Sequence, residues 1–266
     1  MKPEKNWSRE VWNVANHWSH DLDPDRFEHY SSVPYSDDVS DEIRILKLSI
    51  PRGKSNLPVI VWFHGGGFTG DQRECPRELF ETEKYIIVEP RYSLAPVVKA
   101  PVYIEDAAMA LAWVMKNIKD FGGDPGKIVV GGMSAGAYLS TIISMNPKWL
   151  NPYGLDNKDL AAIISLSGQV STHYMVAEAL GVGPESEYAP MSWISADLPP
   201  IQLIVGDVAC DIPGRTEENI RMAVKLHEMG HTMVETHALG GKDHSGAFLA
   251  GGRLIVPFLE KVFSNK

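Results

Sequence analysis

VVGGMSAGAYLS, residues 129–140, sets a single serine among small residues. Two valines close an apolar run of strand character. Gly131, Gly132, Met133, Ser134, Ala135, Gly136 and Ala137 follow, all small except the methionine. Tyr138, Leu139, Ile142 and Ile143 then read as helix. A serine therefore stands between a strand and a helix, with Gly132 and Gly136 two positions to either side. So sharp a turn drives its central residue into an unfavourable backbone region. Larger flanking side chains would collide with the neighbouring strand and helix, so glycines stand there and the hydroxyl projects above the sheet. The helix N-terminus at this point favours developing negative charge. The plainer alternative is a glycine-rich turn whose serine merely caps the helix.

Outward from this turn, strands and helices alternate. Residues 58–63 (PVIVWF), 85–89 (YIIVE), 127–130 (KIVV), 161–166 (AAIISL) and 201–205 (IQLIV) are solid apolar runs, suited to strands covered on both faces. Residues 43–50 alternate in and out, as an edge strand does, and residues 233–239 form a weaker strand. Helical stretches are expected near 74–84, 103–119, 135–145, 215–229 and 246–263. This order predicts one α/β domain over 1–266, a mainly parallel sheet with helices on both faces. Residues 1–40 form a polar, aromatic N-terminal arm, with a short helix around Trp7, Val11, Val14 and Trp18. Residues 169–196 interrupt the rhythm and are expected to fold as a small lid.

The chain has 266 residues, 44% of them hydrophobic, and a formal net charge of -9. With no basic block, nucleic acid and anionic membrane surfaces are poor partners. Two cysteines are too few for a disulfide framework or a thiolate zinc site, and free thiols are expected. No apolar run reaches membrane-spanning length, and MKPEKNWSREVW lacks the apolar segment of a signal peptide. A cytoplasmic protein is the expectation, with secretion after loss of a leader as the alternative. A homodimer is compatible with the sequence.

Upstream of the serine turn, the strand PVIVWF runs into His64-Gly65-Gly66-Gly67-Phe68. Glycines after a strand let amides turn toward a ligand, as an oxyanion site requires, with donors roughly 3 Å from the developing charge. Neither phosphate-loop pattern fits the segment. His64 lies inside the turn and is expected to brace it. HGGGF, RYSLAP at 91–96 and GMSAG at 132–136 together resemble the α/β-hydrolase fold. More narrowly they resemble the esterase and lipase group related to hormone-sensitive lipase and the small carboxylesterases. YSLAP resembles that group's Tyr-Arg-Leu-Ala-Pro, with Ser93 in place of arginine, and the helical segment 103–114 matches its acidic helix. The similarity spans about 43 to 263.

The resemblance implies the order serine, acid, histidine along the chain. It implies Ser134 as nucleophile and an oxyanion hole made by the amides of Gly66, Gly67 and Ala135. It also implies a late histidine, and LGGKDHSGAF at 239–248 supplies His244; His237 is the competing choice, but lies within a strand. The acid is Asp211 or Asp207. The group shows an aspartate where this chain has Ala209, and the loop-to-helix spacing favours Asp211, whose plainer role is to cap the following helix. No metal or organic cofactor is needed. His17 and His20, and His227 and His231, read as solvated surface, while Asp106 and Asp124 read as structural. The expected activity is that of a serine carboxylesterase on short- to medium-chain esters, with acetylated or feruloylated carbohydrate as candidate substrates. Phe68, Tyr188 and Trp193 are candidate substrate-binding rings. An amidase or formamidase of the same fold, and a non-catalytic ligand-binding homologue, are the alternatives.

Overall fold

Period-two alternation in a doubly covered strand sends successive side chains into different cores. The strand Leu57–Phe63 (β3) does this: Val59, Val61 and Phe63 enter one apolar cluster, Ile60 and Trp62 the other. The computed structural model describes residues 24–37, 41–71 and 75–264. The helix expected around Trp7 lies outside the described residues. The flanking strands are Phe27–Pro34 (β1), Ile45–Pro51 (β2), Ile86–Pro90 (β4), Gly123–Met133 (β5), Ala162–Leu166 (β6), Ile201–Val205 (β7) and Val234–Ala238 (β8). They form one eight-stranded sheet in the order β1-β2-β4-β3-β5-β6-β7-β8. β1–β2 and β2–β4 pair antiparallel, and every other pair is parallel.

The helices divide between the two faces. Val102–Asn117 (α2), Ala135–Met145 (α3) and Arg215–Glu228 (α5) pack on the face lined by Val59, Val130 and Ile163. Arg77–Glu81 (α1) and His244–Ser264 (α6) cover the other, through Leu79, Phe80, Phe248, Phe258 and Leu259. Tyr174–Leu180 (α4) lies in the insertion between β6 and β7. In such a sheet ligands collect beyond the carboxyl ends of the parallel strands, and those ends carry the loops of interest.

Two expectations are corrected here. The strand at 43–50 is not an edge: β1, from within the supposed arm, pairs along it and takes the edge itself. The helix expected over 74–84 shrinks to the five residues of α1.

Candidate active site

β5 delivers Ser134 to the N-terminus of α3 at φ 53°, ψ -115°. Few non-glycine residues tolerate a positive φ, and strain of this kind concentrates at functional sites. The surroundings enforce it. A Cβ on Gly132 would lie 2.4 Å from the Gly136 carbonyl carbon, and one on Gly136 would lie 2.0 Å from the Phe63 carbonyl oxygen. The Ser134 amide donates to Leu166 O on the adjacent strand at 2.9 Å. The serine side chain makes no capping bond to α3, so the plainer capping role does not hold. Ala135 opens the helix, where the first amides have no intrahelical partner.

The loop after β3 is a tight left-handed turn, with φ 108° at Gly66, 59° at Gly67 and 64° at Phe68. Gly66 O accepts from the amides of Thr69 and Gly70, both at 3.0 Å. A Cβ on Gly66 would meet Gly70 O at 2.2 Å, so the turn excludes any side chain there. His64 braces the loop: its Nδ1 donates to Gly65 O at 2.7 Å, and its ring stacks on Tyr92 at 4.3 Å. Tyr92 in turn donates its hydroxyl to His64 O at 2.8 Å.

His244 and Asp211 meet beyond β7 and β8. His244 Nδ1 donates to Asp211 Oδ1 at 2.9 Å. That bond fixes the tautomer and leaves Nε2 of the neutral ring as an acceptor. Asp211 Oδ1 also accepts from the Ile212 amide at 2.7 Å. Oδ2 accepts from Ser167 Oγ and the Gly206 amide, both at 2.8 Å. Burial alone would raise this carboxyl's pKa. The bonds from His244, Ser167, Gly206 and Ile212 outweigh that and hold it well below the usual carboxylate range. α5 begins at Arg215 with Gly214 as its N-cap, so Asp211 is not that helix's cap. Asp207 instead ties two loops together, accepting from the amides of Ala209 at 2.9 Å and Gly241 at 2.6 Å. His237 lies on β8 with Nε2 3.5 Å from Glu235.

Three residues near this site escaped the sequence reading. Ser167 follows β6 at φ 50° and gives its hydroxyl to Asp211. Arg215, buried and ion-paired to Glu218 at 3.1 Å, donates to Ser167 O and so clamps that turn. Tyr174 stands over the glycine loop: a Cβ on Gly67 would lie 3.3 Å from its hydroxyl. The one available signal was positional, since Ser167 and Tyr174 follow the end of a parallel strand.

The candidate substrate-binding rings have partners within the fold. Phe68 is wholly buried, stacked on Tyr103 at 4.1 Å and edge-on to Tyr138 and His173. It serves as the foundation of the loop. The Tyr188 ring packs near Trp149 at 6.2 Å and Lys148 Nζ at 5.3 Å. The Trp193 indole donates to Glu187 O at 2.8 Å. Trp149 and Lys148 follow the C-terminus of α3, while Tyr138 in its first turn donates its hydroxyl to Tyr188 O at 2.7 Å. His231 is also corrected: it is buried, and its Nε2 donates to Leu198 O at 2.9 Å. His227 is exposed, and His17 and His20 lie outside the described residues. Asp106 is structural as expected, accepting from Arg44 at 2.7 Å and the Ser93 amide at 2.9 Å. Among the described residues no group of three or more His, Cys, Asp or Glu could hold a metal ion. No described helix is long and apolar enough to cross a membrane.

Comparison with known proteins agrees with this architecture. The alpha/beta hydrolase fold family matches residues 60–178. Over 98 residues the chain is 39% identical to the carboxylesterase NlhH of Mycobacterium tuberculosis, a stretch covering 35% of this chain and 31% of NlhH. The match thus spans about a third of that relative's length. The propionate-bound esterase Est2 of Thermogutta terrifontis superposes with a TM-score of 0.72 at 22% identity, over 87% of this chain and 94% of Est2. A truncated carbohydrate esterase from gut microbiota gives a TM-score of 0.74 at 18% identity, over 92% of this chain and 99% of that one.

Proposed function

We propose that this chain, which has the α/β-hydrolase fold, is a serine carboxylic-ester hydrolase acting through an acyl-enzyme. The observation that carries the proposal is Ser134, held at positive φ between two obligatory glycines with its hydroxyl uncommitted to capping. A serine hydroxyl is a poor nucleophile at its own pKa and needs a base. In this reading Nε2 of His244 accepts the Ser134 proton as Oγ attacks the ester carbonyl. Asp211 holds the ring's orientation and stabilises the imidazolium. The carbonyl oxygen becomes anionic among the amides of Gly66, Gly67 and Ala135, where one such donor is typically worth about 10²–10³ in rate. His244 then protonates the leaving alcohol, and water repeats the sequence on the acyl-enzyme.

Residues 1–266 act as one domain in this reading, and the short insertion at 169–196 suits a small or medium acyl group. The esterase named NlhH and the gut carbohydrate esterase support testing simple and carbohydrate-linked esters first. Cys75 and Cys210, both free, fit a reducing, cytoplasmic compartment. The test is a panel of p-nitrophenyl esters from acetate to laurate, an acetylated sugar and a p-nitroanilide. The expected result is highest kcat/KM between acetate and hexanoate, with the anilide far slower. Turnover of the anilide alone would replace this reading with the amidase one.

A further inference from the structure

We infer that the hydroxyls of Tyr174 and Tyr103 form a recognition point for a hydroxyl group that the substrate carries beside its reacting ester. The inference rests on the ester-hydrolase reading and names the substrate class of that same site. Tyr174 opens α4, and 57% of it is exposed despite its aromatic ring. The ring lies on His173, with centroids 4.5 Å apart, and His173 is itself buried. The hydroxyl reaches back over the glycine loop, 3.3 Å from where a Gly67 Cβ would stand. A side-chain hydrogen-bonding group thus borders the residue whose amide is assigned to the oxyanion.

Tyr103 arrives from the other side, in the first turn of α2. Its ring is stacked on Phe68, the residue that follows Gly67. It is 1% exposed, and its buried hydroxyl has no hydrogen-bond partner among the described residues. Burial pushes its phenol up to about 12, and the nearby Tyr174 phenol adds to the rise. An orphaned hydroxyl is unfavourable beside a phenylalanine of the same shape, so packing alone does not account for tyrosine here. Each phenol hydroxyl offers one donor and acceptor lone pairs. A substrate hydroxyl can donate to one and accept from the other. The neighbouring cation, Arg215, is engaged by Glu218 and Ser167 and leaves the point without a committed charge for a carboxylate.

The experiment compares ethyl acetate with 2-hydroxyethyl acetate, whose extra hydroxyl is on the alcohol side, and with ethyl glycolate, whose hydroxyl is on the acyl side. kcat/KM is measured for the wild type, Tyr174→Phe and Tyr103→Phe. The hydroxylated-to-plain ratio is expected to fall about fivefold to tenfold in Tyr174→Phe for one of the two hydroxylated esters, and that ester identifies the side. Intrinsic reactivity cancels in this comparison of ratios. Tyr103→Phe is expected to lower the same ratio while leaving the thermal midpoint unchanged or higher, since no protein partner is lost. Ratios that survive Tyr174→Phe would overturn the inference while leaving the esterase reading intact. A marked drop in thermal midpoint for Tyr103→Phe would give that hydroxyl a structural role and overturn the pairing. Absence of hydrolysis of all three esters and of p-nitrophenyl acetate by the wild type would remove both readings together.

Discussion

Asp211 receives four hydrogen bonds on its two oxygens, from His244, Ile212, Ser167 and Gly206. The neighbouring Asp207 receives two, both from loop amides. Asp211→Asn is therefore expected to lower kcat on p-nitrophenyl acetate by about 10⁴, the scale of losing the correct tautomer. Asp207→Asn is expected to stay within about tenfold, and equal losses would contradict the assignment of the acid. Ser167→Ala removes one bond to a buried carboxylate and is expected to cost about 1.5–3 kcal/mol at pH 7 in urea unfolding. The sign follows from the carboxyl's lowered pKa. Such a group stabilises the fold above its unfolded value, and that contribution is lost as pH falls toward the folded value. The difference between Ser167→Ala and wild type should therefore stay level from pH 7 down to about pH 4 and shrink only as the pH falls below 3.8. Ser134, His244 and Asp211 could be nominated from the sequence because strand, turn and loop signals surround each of them. Ser167 and Arg215 were not, because their importance lies in a contact 44 to 48 residues away along the chain. Phe68 misled because an aromatic ring beside a glycine loop reads equally well as a wall of the pocket or as its foundation.

At the scale of elements, the turn from β5 into α3 depends on close backbone approach more than on any side-chain contact. Gly136→Ala would set a methyl 2.0 Å from Phe63 O and 2.4 Å from His64 O, both rigid backbone atoms where β3 ends. A destabilisation of about 3 kcal/mol or more is expected in thermal or urea unfolding. Gly183→Ala, with nothing within 4 Å of its Cβ, is expected to stay within about 0.5 kcal/mol. If the two variants melt alike, the packing account of the turn fails. The central strands were readable because burial on both faces leaves them continuously apolar. β1 was not. Its register shifts between Tyr30 and Val33, where Ser31 and Ser32 break the alternation and imitate a loop. α1 was overestimated because Pro76 sets its start and the helix ends within two turns.

Among the described residues of the whole molecule, the buried histidines His29 and His173 are kept neutral by their surroundings. Burial, then the charge of Arg52, lowers His29 to about 4. Burial, then Arg215, lowers His173 to about 3. Both folded values lie below the unfolded value of 6.5, so the unfolded chain binds more protons in acid and stability falls as pH drops below 6.5. By pH 4 each histidine is expected to cost on the order of 3 kcal/mol. His173 also caps α4 by accepting the Met175 amide at 3.3 Å, which requires the unprotonated ring. A thermal midpoint that stays level from pH 7 to pH 4.5 would contradict this. The doubly covered sheet brings loops after β3, β5, β7 and β8 to one end, where Ser134 is proposed to react. A fluorophosphonate followed by peptide mass mapping tests it most directly. A phosphonyl adduct is expected on the peptide containing Ser134 and none in Ser134→Ala; equal labelling of both proteins would show that another residue is the nucleophile.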